Sequence, residues 1–165
     1  MLTLRLAQPA DETTVIGVYK RAVAAMCEMG IYQWDEIYPS EAQIQADINN
    51  SEMYLVCDDG CIVGAVVLND REDESYTLAA WKCAAPFAVV HRLCIDPASQ
   101  SCGVGRQAMR LAQTMLKEKG FASVRLDAYS QNPHALSLYK TLGYRQAGEA
   151  TYRKGLFYLF EKSLS

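Results

Sequence analysis

The chain of 165 residues contains only two histidines, His91 and His134, and none of its six cysteines forms a Cys-x-x-Cys pair. His91-x-x-Cys94 is a lone ligand-like spacing with no second pair to complete a tetrahedral zinc site, so no metal is expected. Proline and glycine are sparse, at 5 and 10 residues, which excludes collagen-like and low-complexity chains. No apolar run approaches the roughly 20 residues that span a bilayer. The opening MLTLRLAQPADE lacks the basic and long apolar regions of a secretory leader, so a cytoplasmic protein with no membrane partner is expected. Positive charge is not in excess: 16 Lys and Arg stand against 19 Asp and Glu, for a net charge of -3. That balance argues against a nonspecific nucleic-acid binder.

Half of the residues are apolar and about a fifth are charged, the profile of one compact domain over residues 1–165. A chain of about this length buries roughly 68–70% of the surface that its unfolded form exposes. In a reducing compartment, Cys27, Cys57, Cys61, Cys83, Cys94 and Cys102 read as buried thiols acting as small apolar side chains.

Apolar periodicity supplies an element order. Leu2 to Leu6 alternates as a strand does, and a helix follows from Asp11, a natural N-cap, toward Met29. Ser40-x-x-Gln43 is a capping-box signature for a second helix through Ile44 and Ile48. Met53 to Cys57, the Asp58-Asp59-Gly60 turn and Cys61 to Leu68 read as a hairpin. Asn69 to Glu74 is a charged loop, Arg71 to Glu74 reads as solvated, and Tyr76 to Trp81 reads as a further strand. Phe87 to Ile95 is a strand stopped by Asp96-Pro97, and Val104 to Lys119 is a helix closed by Gly120. Then come a strand over Val124 to Ala128 and a helix from Asn132-Pro133 to Leu142. Strands at Tyr144 to Ala147 and Leu156 to Lys162 complete the chain. The order predicts an α/β (α+β) domain, a mixed sheet with helices on its faces.

Two stretches carry chemistry. In the first, the Phe87–Ile95 strand runs through Asp96-Pro-Ala-Ser-Gln-Ser-Cys-Gly-Val-Gly-Arg106 straight into a helix. The first N–H groups of a helix lack internal partners, and glycines let a phosphate approach them, so this is an anion cradle. An ordinary tight strand-to-helix turn is the alternative. No Gly-Lys-Ser/Thr follows, and the spacing is not Gly-x-Gly-x-x-Gly, so neither nucleotide-loop motif applies. A nucleotide-binding protein would also need a magnesium carboxylate and a phosphate-directed lysine near the loop, and neither is apparent. The second stretch is Asn132-Pro-His-Ala-Leu-Ser-Leu-Tyr-Lys-Thr-Leu-Gly-Tyr144. Asn132 suits an N-cap, Ala135, Leu138 and Leu142 read as a buried stripe, and Tyr139 sits beside it.

Together, Gln100-x-x-Gly103-x-Gly105 and the helix bearing Tyr139 resemble the GNAT superfamily of acetyl-CoA-dependent N-acetyltransferases. The resemblance implies the GNAT fold: a mostly antiparallel central sheet with a splayed strand pair, flanked by about four helices. It implies that backbone groups of Leu93, Cys94 and Ile95 pair with the pantetheine arm of CoA like an added strand. Gln100, Ser101, Cys102, Gly103, Val104, Gly105 and Arg106 would form the pyrophosphate loop. Asn132 and Ala135 would lie against the cofactor arm, and the Tyr139 hydroxyl near the thioester sulfur. The segment Tyr32, Trp34, Asp35, Glu36 and Tyr38 is then either a wall of the acceptor pocket or an amphipathic cover for the sheet.

The implied reaction sets its own requirements. An alkyl ammonium with pKa near 10.4 is neutral in only about one part in 10³ at pH 7, so freeing the nucleophilic amine costs about 4–5 kcal/mol. A base must take that proton, an N–H must receive charge on the acetyl oxygen, and an acid must protonate the leaving thiolate. Tyr139 suits the acid by type; the alternative is a core aromatic with a capped hydroxyl. His91 suits the base or a water relay, the alternative being a structural histidine. Strand alternation puts its side chain on the same face as that of Leu93. Many members of the family carry a carboxylate on this strand, whereas none lies between Pro86 and Ile95 here. Direct transfer in a ternary complex needs no acyl-cysteine at Cys94 or Cys102. His134 reads as a surface residue. The expected partner is an amine acceptor, small-molecule or protein-borne, and an exposed C-terminal strand is expected to allow a homodimer. A catalytically weak acyl-CoA-binding regulatory module is the alternative function.

Overall fold

In a computed structural model of the chain, which describes residues 1–100 and 102–165, the alternation of Leu2, Leu4 and Leu6 forms β1 (Leu2–Leu6). Asp11 does not cap the first helix through its side chain. It closes a 3-10 turn, accepts the Gln8 N–H at 2.8 Å and pairs with Arg5, and α1 runs Glu12–Glu28. Ser40 does cap α2 (Glu41–Asn49), its oxygen accepting the Gln43 N–H at 3.0 Å. The hairpin of β2 (Met53–Asp58) and β3 (Cys61–Asn69) turns on Asp59 and Gly60, both left-handed with φ +47° and +86°, as a two-residue turn matched to strand twist requires. β4 (Phe87–Ile95), α3 (Val104–Glu118), β5 (Ser123–Tyr129) and α4 (Pro133–Thr141) follow, then β6 (Arg145–Tyr152) and β7 (Gly155–Ser163).

Among the described residues the sheet has seven strands in the order β1-β2-β3-β4-β5-β7-β6. The expected strand at Tyr76–Trp81 is absent. The Asp73 carboxylate accepts the Ser75 N–H at 2.9 Å and starts a 3-10 turn over Glu74–Leu78. Tyr76 turns into the core while Leu78 is fully exposed, so these alternate residues share no face. A local Asx cap and the burial of one ring have overridden β-propensity. The expected C-terminal pairing edge is also absent, because β7 lies between β5 and β6. No helix is long and apolar enough to cross a membrane among the described residues.

The chain forms two compact units, Met1–Leu68 with Arg92–Leu111 and Asn69–His91 with Ala112–Ser165. In the first, α1 buries Val15, Val18, Tyr19 and Ala22, the spacing of one helical face, among residues of β2 and β3. In the second, β4 and β5 pair in parallel only over Phe87–Val89 and Ser123–Arg125, whereas β5 pairs with β7 along its whole length. A smaller core gathers Tyr76, Val89 and Leu159.

Glu161 on β7 fastens the second unit. Its carboxylate is buried, accepts the backbone N–H groups of Lys82 (2.7 Å) and Cys83 (3.2 Å), and pairs with Arg145. Burial pushes its pKa up, but Arg145 and the two N–H groups outweigh that and hold it below the usual value. A carboxylate depressed on folding stabilises above its unfolded pKa, near 4.3, and loses that contribution as pH falls through the folded value. Glu161→Gln should therefore cost about 2 kcal/mol at neutral pH. Urea unfolding at neutral and at acid pH should show that gap shrinking as the carboxylate takes up its proton. A gap of the same size at both pH values would refute this account.

Candidate active site

The implied site residues divide between the two units. The first holds Leu93, Cys94, Ile95, Gln100, Cys102, Gly103, Val104, Gly105 and Arg106; Ser101 lies outside the described residues. Leu93 and Ile95 are half-buried and Cys94 is buried. β3 approaches this end of β4 so closely that a Cβ on Gly64 would stand 2.5 Å from the Cys94 carbonyl oxygen. Only glycine fits there, a requirement that one glycine inside an apolar run does not announce. The following loop is tied at both ends. The Asp96 N–H donates to the Val63 carbonyl at 2.8 Å, and the Asp96 carboxylate takes Arg21 at 2.6 Å, which lowers its pKa. Gln100 donates its side-chain amide to the Ile95 carbonyl at 2.9 Å. Gly103 is left-handed, with φ +72° and nothing within 4 Å of where a Cβ would stand. The chain then enters α3 at Val104, so helix N–H groups that lack intrahelical partners follow a residue with no side chain: a cradle that fits a pyrophosphate.

The second unit holds His91, Asn132, Ala135 and Tyr139. His91 Nε2 lies 2.9 Å from Asn69 Oδ1. The same Oδ1 accepts the Arg71 N–H at 3.0 Å, so it is an acceptor and Nε2 is the donor. Neutral His91 then carries its proton on Nε2. Asn69, which sets this tautomer, is absent from the sequence-based reading because an asparagine at a strand end reads only as a turn. Arg92 interrupts β4 with φ +52°, so strand alternation does not carry from His91 to Leu93.

Asn132 caps α4, its Oδ1 accepting the Ala135 N–H at 3.1 Å. Of the stripe expected to be buried, Leu142 is, whereas Ala135 and Leu138 are only half-buried; the buried residue of the helix itself is Tyr139. Its ring stands 5.6 Å from that of Tyr144 and 6.2 Å from that of Phe160. Burial, with the Asp127 carboxylate adding to it, raises the pKa of Tyr139, so the phenol is protonated at neutral pH. The Tyr76 hydroxyl donates to Asp127 at 2.7 Å. His134 is exposed, as expected. The charged loop is less solvated than expected: Glu72 pairs with Arg125 at 2.6 Å, and that guanidinium stacks 3.8 Å from the Phe87 ring centroid.

Residues 19–144 match the family described as the acetyltransferase (GNAT) family, and the chain belongs to it. Mycothiol acetyltransferase of Thermomonospora curvata is 27% identical over 154 residues, which cover 92% of this chain and 47% of that protein. The chain thus spans about half the length of this curated relative. A GNAT-family acetyltransferase from Streptococcus agalactiae superposes with a TM-score of 0.83 at 20% identity, covering 98% of this chain and 95% of that one. The ribosomal-protein-S18-alanine N-acetyltransferase of Escherichia coli superposes at 0.72 with 17% identity, covering 100% and 95%. These likenesses show the GNAT fold.

The cysteines correct one expectation. Cys57 and Cys94 are buried, but Cys27, Cys61 and Cys102 are exposed and Cys83 is intermediate. Burial pushes the Cys94 thiol far up, with Asp96 adding to the effect, which makes it a poor nucleophile. Iodoacetamide at neutral pH should label Cys27, Cys61 and Cys102 and spare Cys94 until the chain is unfolded. Peptide mass spectrometry reads this, and Cys94 alkylated as fast as Cys61 in the native protein would contradict it.

Proposed function

We propose that the chain is an acetyl-CoA-dependent N-acetyltransferase that acetylates a primary amine by direct attack in a ternary complex. One observation carries the reading: a family member's chain combines the glycine-bearing entry to α3 with an Asn132-capped α4 that buries a protonated phenol. In this reading residues 1–165 act as one acetyltransferase domain. Gln100 to Arg106 hold the pyrophosphate of acetyl-CoA mainly through backbone N–H groups, and Leu93 to Ile95 pair with its pantetheine arm. Acetyl-CoA supplies the activated thioester. A backbone N–H of β4 receives charge gathering on the acetyl oxygen, His91 takes the proton of the attacking ammonium directly or through water, and Tyr139 protonates the departing sulfur. Cys94 stays outside the chemistry. The named relatives carry different acceptors in their names, so the acceptor is defined here only as an amine.

Binding is tested at the loop. Gly103→Val or Gly105→Val should abolish CoA binding in a calorimetric titration, while Cys102→Ala should change it little. Unchanged CoA affinity in both valine variants would remove the loop from the mechanism.

Turnover is tested with acetyl-CoA and a panel of amines, reading the free thiol released. Amine-dependent thiol release supports the transferase. Tight CoA binding with no release on any amine favours the regulatory module. Losing a general acid typically costs about 10²–10⁴ in rate, so Tyr139→Phe should lower kcat substantially and leave acetyl-CoA affinity within a few-fold. The fall is smaller, near tenfold, if water replaces the phenol, because a thiol of pKa roughly 8.5 already leaves tolerably. Unchanged kcat, with chemistry shown to be the slow step, would sink the assignment.

A further inference from the structure

Arg92 is a left-handed residue, φ +52°, inside a strand, and it immediately precedes the backbone at which the proposed function seats the pantetheine arm. A long side chain is unfavourable in that conformation and persists only where its surroundings over-determine it. Here three side chains do so, all within the first unit. The Tyr19 hydroxyl donates to the Arg92 carbonyl at 2.6 Å. Asp47 takes the guanidinium in two bonds, Nε to Oδ2 at 2.9 Å and Nη2 to Oδ1 at 2.8 Å. The Tyr38 hydroxyl accepts from Nη1 at 2.8 Å.

The Arg92 and Asp47 side chains are only 10% and 3% exposed. Asp47 is itself oriented from within α2 by Gln43, whose amide donates to Oδ1 at 2.9 Å. Tyr38 is oriented too: its N–H donates to the Asp35 carboxylate at 3.1 Å, and its carbonyl accepts the Asp35 N–H at 3.0 Å. A buried ion pair is a weak source of net stability compared with an apolar replacement, whereas a bidentate guanidinium–carboxylate pair fixes direction. What this pair directs is the backbone of β4.

We propose that Asp47, Arg92 and Tyr38 form a positioning clamp. It sets the path of Leu93–Ile95 for the pantetheine arm and couples that path to the segment carrying Tyr32, Trp34 and Tyr38. Trp34 is packed on Tyr19, with ring centroids 5.7 Å apart, while Tyr32 and Ile37 stay exposed. The segment is thus anchored at the β4 end and leaves Tyr32, Glu36 and Ile37 exposed. The clamp rests on the reading that Leu93–Ile95 receives the arm of CoA, and the test separates the two.

Calorimetric titration compares CoA with adenosine 3′,5′-bisphosphate, which has phosphates for the loop and no arm for β4. Asp47→Asn should weaken CoA binding about tenfold, the loss of roughly 1.4 kcal/mol, and leave bisphosphate binding within twofold. Tyr38→Phe, which removes one hydroxyl at a partly exposed position, should weaken CoA about threefold with the same selectivity. If Asp47→Asn is recovered unfolded, Tyr38→Phe carries the test. Equal losses for both ligands, or unchanged CoA affinity in a folded variant, would overturn the clamp. Wild-type protein that binds both ligands equally would overturn the seating of the arm on β4, and the clamp with it. Wild-type protein that binds neither would overturn the proposed function itself.

Discussion

β4 is asked to be regular at one end and irregular at the other, and much of the remaining structure answers that demand. Its first three residues sit in a parallel ladder with β5, which ends at Val89 and Arg125. Three residues later Arg92 adopts a left-handed backbone. A strand leaving its ladder exposes backbone N–H and C=O groups that must find partners or remain available for a ligand. The surroundings restrict how those groups turn. Gly64 lets β3 press against the Cys94 carbonyl, Tyr19 holds the carbonyl of Arg92, and Gln100 holds that of Ile95.

Buried carboxylates do comparable work at two places. Asp47 meets a guanidinium from β4, and Glu161 meets one from β6 together with two backbone N–H groups. Both anchor backbone that the β4–β5 ladder does not hold, the left-handed turn at Arg92 and the Lys82–Cys83 stretch. Irregular backbone cannot satisfy itself as a helix or sheet does, so side-chain charge takes over. Glu161 is also where pH reaches the fold, since a carboxylate held below its usual pKa in the native state must be protonated as acid unfolds it.

The chemistry assigned to the site follows from the same restriction. Tyr139 is kept protonated by burial, and His91 has its tautomer set by Asn69. In the proposed reaction the two act in opposite directions, Tyr139 giving a proton and His91 taking one. Cys94, although it lies on the same strand as the proposed backbone contacts, is silenced by burial.

The sequence alone determined the elements whose signals are local. The Ser40 and Asn132 caps, the Asp59-Gly60 turn and the Gly103 loop each depend on neighbours a few residues away, and each stands where the pattern put it, while the strand read at Tyr144–Ala147 runs on to Tyr152. The family was legible for the same reason, because two short motifs carry it. Tertiary structure decided the rest. Tyr76–Trp81 has strand-like residues, yet a cap at Asp73 and burial of one ring made it a turn. The C-terminal strand reads as an edge, yet β6 covers it. Nothing near Asp47 or Asn69 in the chain marks them as partners of Arg92 and His91. Contacts between residues distant in sequence leave no periodic trace, and a charge or amide that one such contact consumes looks, in sequence, like any solvated one.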